Sequence, residues 1–366
     1  MKERNEHQTF KADEIPSREI SDPAVLSNDP LVSVIIVTYN HEPYIAEAIE
    51  GTLMQKTNFP YEVLIGEDDS SDGTREICKE YAAKHPDRIR LFLNDRKNVI
   101  YIGGQPTGRW NFINLLKNSK GKYIALCEGD DYWTDRYKLQ KQVDFLENNP
   151  EYVVCSHLAE NFHQDNTRKS YIFPHQSTKK ETYTFEDFLY RNHINTCSVV
   201  YRWQFDKTPL PEWFSDHFTG DYSLHLLHAY QGHVKVLPEV MAKRRIHSKG
   251  IMSGSRGKYR VWRIKDRISF MHNINEYSNY GYDQIIRNLI TNYQQSLINA
   301  LLDENNEHDS KRIYNEIKHI MDFKPKCKYL FHLYFPDLFS ASKRIYNQTR
   351  KTLDYTSEGY KLRFFR

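Results

Sequence analysis

Residues 123–133, reading Tyr-Ile-Ala-Leu-Cys-Glu-Gly-Asp-Asp-Tyr-Trp, constrain this chain more than any other stretch. The apolar and small residues that follow Gly121 suit a short strand of a parallel sheet, covered on both faces. The run then ends in three carboxylates, Glu128, Asp130 and Asp131. Open α/β sheets bind their ligands at the carboxyl ends of strands, which is where these acids stand. Held so close, they repel one another and take up protons unless a cation lies among them. All-oxygen donors suit a hard divalent ion such as Mg²⁺ or Mn²⁺, which keeps positions open for phosphate oxygens. An acidic turn that only caps the following helix would use the same residues.

The chain before this stretch alternates between two periods. Residues 31–37 are a β-branched run ending in Thr38-Tyr39-Asn40, followed by Tyr44, Ile45, Ala48, Ile49 and Leu53 at helical spacing, with Pro43 suited to the first turn. Residues 61–66 read as a second strand, running into Glu67-Asp-Asp-Ser-Ser-Asp-Gly-Thr74. The helix after it buries Ile77 and Tyr81, with Asp72 or Ser71 as its cap. Residues 89–93 predict a strand, 109–119 a helix and 123–127 a strand, so the fold class is α/β, a doubly wound and mostly parallel sheet flanked by helices. Its carboxyl edge then collects Thr38, Asn40, Glu42, Asp68, Asp69, Glu128, Asp130 and Asp131.

Neither Gly-x-Gly-x-x-Gly nor Gly-Lys-Ser/Thr follows the first strand, so a backbone nest is not the main phosphate holder. A metal on carboxylates takes that role instead. Asp68 can accept from the N–H edge of a base, and the Thr38 hydroxyl can meet ribose or base, which points to a nucleotide attached to something.

With 366 residues and 39% hydrophobic content, the chain can build one large α/β domain and an appendage. No apolar run is long enough to cross a bilayer, and residues 1–30 read as a polar, flexible lead-in without the apolar core of a signal peptide. The expectation is a cytoplasmic protein. Cys78, Cys127, Cys155, Cys197 and Cys327 lack Cys-x-x-Cys spacing and read as reduced core residues rather than disulfides or zinc ligands. The net charge of +3 hides a basic tail: residues 324–366 hold ten Lys or Arg against three Asp or Glu, leaving −4 for the rest.

Val34-Ile-Ile-Val-Thr-Tyr-Asn40, Glu67 to Thr74 and Cys127-Glu-Gly-Asp-Asp-Tyr-Trp133, in that order and spacing, resemble the nucleotide-sugar half of family two glycosyltransferases, which have the GT-A fold. The resemblance extends more loosely over residues 31–252, through Thr219-Gly-Asp-Tyr-Ser-Leu-His-Leu-Leu-His228 and Val240-Met-Ala-Lys-Arg-Arg-Ile-His247. It implies a domain with a donor half (31–150) and an acceptor half (151–252), followed by a helical region (253–366). It further implies transfer of a sugar from a nucleoside diphosphate donor, with inversion, using Mg²⁺ or Mn²⁺. Thr38, Asn40 and Glu42 would line the base and ribose pocket, Asp68 would contact the base, and Glu128-Gly129-Asp130 stands where the family has Asp-x-Asp. Glu67 and Glu128 each replace the family's Asp, so Asp130 and Asp131 are the better metal ligands, with Glu128 left as a donor or acceptor contact.

Inverting transfer needs a carboxylate base to take the acceptor's proton. Asp221, at the start of a helical stretch, resembles the family's catalytic acid and is the candidate; a simple helix cap is the alternative. His247 would donate to the diphosphate or complete the metal shell, in a loop where Arg244, Arg245 and Lys249 also suit an anion. Trp133 is the aromatic expected to stack on a sugar face. Beyond residue 252, Ile286, Leu289, Ile290, Leu297, Ile298 and Leu301 form a helical stripe for packing on the catalytic domain or another subunit. The basic, aromatic tail suits contact with an anionic membrane, in keeping with a lipid-linked sugar acceptor; a solvated appendage fits equally. No nucleic-acid module accompanies it. A nucleotidyltransferase and a binding protein without turnover are the other readings.

Overall fold

The strands in chain order are β1 (Arg18–Ile20), β2 (Val32–Thr38), β3 (Tyr61–Glu67), β4 (Ile89–Leu93), β5 (Tyr123–Glu128), β6 (Tyr132–Trp133), β7 (Tyr152–His163), β8 (Tyr171–Phe173), β9 (Thr182–Tyr183), β10 (Val200–Arg202) and β11 (His233–Ile246). They are joined in one sheet of order β1-β4-β3-β2-β5-β10-β7-β11-β9, with β8 added to β7 and β6 to β11. The computed structural model describes residues 16–23, 29–175, 179–205, 209–248, 250 and 259–335, in two units that divide between residues 258 and 259.

The first part of the sheet is parallel, as its βα pattern requires: β2 pairs in parallel with β3 and β5, and β3 with β4. Along β2, Val32, Val34 and Ile36 alternate with Ser33 and Ile35, and every one of them is fully buried. The first set packs on Ile45, Ala48 and Ile49 of α1 (Ile45–Leu53) and on Cys78 of α2 (Thr74–Lys84). On the other face, Asn111 of α3 (Arg109–Asn118) donates from Nδ2 to the Gly66 carbonyl at 2.7 Å. Each fully buried aliphatic side chain contributes about 1.5–3 kcal/mol. The cost of shifting any strand by one residue is therefore large.

The part of the sheet from β7 onward is mixed. β10 pairs antiparallel with β5 and β7, while β11 runs parallel to β7 from His233 to Ile246 with register shifts between His233 and Val234, Leu237 and Val240, and Val240 and Ala242. α4 (Lys138–Asn148) buries Leu139, Val143 and Leu146. Before it, the Asp135 carboxylate accepts from the Tyr137 N–H at 2.8 Å and turns the chain. α5 (Phe185–Tyr190) carries a Thr184 and Asp187 capping box. α6 (Gly220–Ala229) is buried along nearly its whole length.

One reading of the sequence is corrected. The lead-in is not featureless, since β1 pairs antiparallel with β4 and Glu19 accepts from Arg90 Nε at 2.8 Å. That three-residue strand is exposed throughout and has no apolar period to reveal it. Ahead of β10 the chain makes a 3₁₀ turn, Thr196–Ser198, because the Ser198 hydroxyl and N–H both bond back to the Asn195 carbonyl.

The second unit is helical: α7 (Arg260–Tyr277), α8 (Asp283–Asp303), α9 (Glu307–Ile317) and α10 (Phe323–Tyr334). Leu297, Ile298 and Leu301 of the expected stripe meet Ile313, Tyr314, Ile317, Tyr329 and Leu333 in a core of this unit's own. Lys324, Lys326 and Lys328 of the basic tail lie exposed on α10, and residues 336–366 lie outside the described residues. Among the described residues no helix is long and apolar enough to cross a membrane.

Candidate active site

Three loops meet at the carboxyl ends of β2, β3 and β5. The first two are tied together: Asn40 Oδ1 accepts from the Ser71 N–H at 2.8 Å, Ser70 Oγ from the Asn40 N–H at 2.9 Å, and Thr74 Oγ1 from the His41 N–H at 2.8 Å. Asn40 holds φ 55° and Asp69 φ 61°, left-handed backbone that short polar side chains tolerate better than most. The third loop comes close because residue 129 is glycine. A Cβ there would lie 2.7 Å from Thr38 Oγ1 and 2.8 Å from His41 Nδ1.

At this edge stand Thr38, Asn40, Glu42 and Asp68. Thr38 is buried with its Oγ1 3.3 Å from His41 Nδ1, and Glu42 exposes its carboxylate while its N–H donates to Asp72 Oδ2 at 3.2 Å. Asp68 is buried, and Arg96 Nη1 donates to its Oδ2 at 2.8 Å. Burial pushes the Asp68 carboxyl up to about 6, with Arg96 pulling the other way. The Arg96 guanidinium also lies 4.0 Å from the centre of the half-exposed Tyr39 ring. Glu67, fully buried, is taken up by Arg75 and the Ser70 N–H, so its extra methylene serves an internal ion pair.

Glu128, Asp130 and Asp131 bring one oxygen each to within 4.8 Å of one another. Asp131 is 2% exposed; the Arg245 N–H donates to its Oδ1 at 2.8 Å, and its Oδ2 is buried with no hydrogen-bond partner. Burial and the Asp130 charge push the Asp131 carboxyl up to about 8. Burial and the Asp131 and Asp130 charges push Glu128 well above the usual carboxylate range. Burial would raise Asp130 too, but the bond to His247 and the charges of His41 and His247 hold it below. His247 Nε2 lies 3.0 Å from Asp130 Oδ2, with its ring 5.2 Å from that of Tyr44. It thus joins the cluster through Asp130 rather than as a fourth member of the group. The donor set fits a hard divalent ion, since an orphaned oxygen and proton-hungry carboxylates are what such an ion relieves.

Asp221 stands in the first turn of α6. Thr196 Oγ1 donates to its Oδ2 at 2.9 Å and the Tyr222 N–H to its Oδ1 at 2.7 Å. Burial works against its charge, yet His225, Thr196, the Tyr222 N–H and Arg109 together hold the carboxyl below its ordinary value. Burial drives His225 down to about 4, so at neutral pH the pair is an ionised Asp221 beside a neutral imidazole. Asp221 is near enough that its charge raises Glu128, and the charge of Arg244 is felt by Asp131, Glu128 and Asp221 together.

Trp133 is corrected. It is 2% exposed, its Nε1 donates to the Cys197 carbonyl at 2.8 Å, and Lys138 Nζ lies 3.9 Å from its ring centre. Both ring faces and edge belong to the core, so it offers no surface to a sugar. Lys249, expected beside His247, lies outside the described residues. Four of the five cysteines are buried and free, and Cys327 is partly exposed and free. The residues not foreseen are Arg96, Arg109, Thr196 and His225. Arg96 follows the end of β4 and so lies on the same edge, which is the signal that could have found it; the others come from turns and helix starts with no such marker.

Residues 33–213 match the family model described as Glycosyl transferase family 2. The uncharacterized protein Rv1520 of Mycobacterium tuberculosis is 40% identical over 220 residues, 60% of each chain, so the match spans about 60% of that relative's length. TuaG of Bacillus subtilis, whose name carries teichuronic acid biosynthesis, is 32% identical over 117 residues, 32% of this chain and 42% of its own. Among solved structures, residues 1–349 of S. aureus TarS, bound to UDP-GlcNAc, align with 87% of this chain and 92% of theirs at 17% identity and a TM-score of 0.50. At that identity the likeness is one of fold, a mostly parallel sheet between helices of the GT-A kind. Through residues 33–213, the chain belongs to glycosyl transferase family 2.

Proposed function

We propose that the chain is a metal-dependent inverting glycosyltransferase, moving a sugar from a nucleoside diphosphate sugar to a hydroxyl acceptor. One observation carries the reading: an ionised, hydrogen-bonded Asp221 stands beside a carboxylate group whose most buried member, Asp131, keeps an unpartnered oxygen. In this reading Asp130 and Asp131 hold Mg²⁺ or Mn²⁺, with His247 on Asp130 and Glu128 adjoining. Such an ion offsets the charge that develops on a leaving diphosphate. Thr38, Asn40, Glu42 and Asp68 receive the nucleoside, Arg96 leaving Asp68 to make room for the base. Asp221 takes the acceptor hydroxyl's proton as the new C–O bond forms on the face opposite the departing nucleoside diphosphate, which is inversion. Arg244, felt by both carboxylate sites, carries positive charge between them.

The name of TuaG supports surface polysaccharide assembly as the setting, and the lysines of α10 support contact with an anionic membrane that carries a lipid-linked acceptor. The test is release of nucleoside diphosphate from a panel of nucleotide sugars, with Mn²⁺, Mg²⁺ or chelator. Metal-dependent release from one donor, lost in Asp131→Asn, supports the reading. Donor binding without release, even with membrane lipid extract present, overturns it in favour of a binding protein.

A further inference from the structure

We infer that Arg109 is the positioning residue of Asp221, holding the turn that starts α6 so that the carboxylate stands where an acceptor must meet it. This rests on the reading of Asp221 as the base. Arg109 is the first residue of α3, more than a hundred positions away in sequence, and is 4% exposed. Its Nη2 donates to the carbonyls of His217 and Phe218 at 2.6 and 3.2 Å, and its guanidinium carbon lies 5.2 Å from the centre of the Phe214 ring. A planar fork that grips successive carbonyls fixes the orientation of a turn as well as its place, which an ammonium cannot do.

Gly220 supplies an independent observation. A Cβ at this position would lie 1.7 Å from Arg109 Nη1 and 2.4 Å from Cζ, although the residue begins an ordinary helix with no left-handed φ. Space for the guanidinium, rather than backbone freedom, explains the glycine. The residue immediately before the candidate base is therefore shaped around Arg109. Electrostatics point the same way. The groups that face Asp221 are Arg109 from α3, Thr196 from the 3₁₀ turn, His225 from its own helix, and Glu128, Tyr201 and Arg244 from the sheet. Arg109 adds positive charge that favours the ionised form of Asp221. Displacing a reacting group by about 1 Å costs on the order of a hundredfold in rate.

The test compares Arg109→Met, Arg109→Lys, Gly220→Ala and Asp221→Asn in the full chain, by metal-dependent release of nucleoside diphosphate from the donor and by calorimetric donor binding. We expect kcat in Arg109→Met and Gly220→Ala to fall about ten- to a hundredfold while donor KM stays within about twofold. Arg109→Lys should be rescued only in part, and the acid limb of the kcat profile should move to higher pH. Adding Arg109→Met to Asp221→Asn should cost nothing more, since both act through one group. If Asp221→Asn is inactive while the folded Arg109 and Gly220 variants keep wild-type kcat and pH profile, Arg109 only braces the fold and the base reading survives. If Asp221→Asn turns over normally, the base reading fails and this inference with it. Should Arg109→Met not fold, Gly220→Ala, which disturbs the guanidinium by one methyl, decides between the same outcomes.

Discussion

Arg96 Nη1 lies 2.8 Å from Asp68 Oδ2, so the carboxylate proposed to meet the base is already held by a guanidinium that rests against Tyr39. Burial nonetheless lifts Asp68 to about 6, above the 3.8 of a free aspartate. A folded value above the unfolded one means the ionised group costs stability above pH 6, a cost that fades below pH 4, where both states are protonated. Asp68→Asn should therefore be more stable than wild type at pH 8, by about 1–3 kcal/mol, and equal to it near pH 3.5. The same variant should bind nucleotide about tenfold more weakly. Urea melts at the two pH values, with a nucleotide titration, check both; equal stability at pH 8 would discount the burial argument.

Metal affinity should rise with pH. Asp131 is pushed up to about 8 and Glu128 well above its ordinary range, so at pH 7 an incoming cation must displace protons. Each displaced proton weakens apparent binding about tenfold per pH unit below its pKa. Titration of Mn²⁺ between pH 6.5 and 8.5, in buffers of different ionisation enthalpy, should show proton release with binding. Asp131→Asn should lose at least about tenfold in affinity yet be no less stable without metal, because it removes a buried like charge. A Kd independent of pH would argue that the acids are already ionised.

Loss of the Asp221 carboxylate should act on chemistry and spare the donor. Asp221→Asn keeps a partner for both Thr196 Oγ1 and the Tyr222 N–H, so the first turn of α6 has no reason to unravel. We expect kcat to fall by about 10²–10⁴ with donor Kd unchanged. A silent substitution would point instead to nucleotidyltransferase chemistry, which cleaves between phosphates and needs no base for a sugar hydroxyl.

Trp133→Phe should be a stability variant only. It removes the donor to the Cys197 carbonyl, which is then buried without that partner, at about 1–3 kcal/mol. Donor and acceptor KM should stay at wild-type values. A change in sugar preference without a change in melting temperature would restore the stacking role.

The parallel part of the sheet was legible because its strands are uninterrupted apolar runs and its helices keep one period, so β2, β3 and β5 and the acids at their ends could be placed from sequence. Asp221 was found through its surroundings rather than its spacing. Trp133 misled because an aromatic beside acids looks like a sugar platform, whereas the Cys197 carbonyl, 64 positions away, and Lys138 hold its ring in the core. Arg109 was invisible for a related reason: its partner lies 108 positions away, and a lone arginine at a helix start carries no period, whereas Arg96 was overlooked although its place after β4 put it on the ligand edge. The exposed β1 had no pattern to read.

The irregular pairing of β11 with β7 has a consequence for what this sequence can become. Successive residues of a strand point to opposite faces, and at the end of β11 the two arginines do different work: Arg245 contacts Glu47, Gln164 and the Asp130 carbonyl, while Arg244 serves the carboxylates. The shifts around Leu237 and Val240 act as a phase setter that decides which arginine faces which way. Removing one residue there would hand Arg244's place to Arg245 and Arg245's to Ile246 and carry His247 away from Asp130, exchanging a charge for an alkyl chain beside Asp131 with no substitution at the site itself. A single-residue deletion in this segment should accordingly disable the carboxylate cluster from a distance.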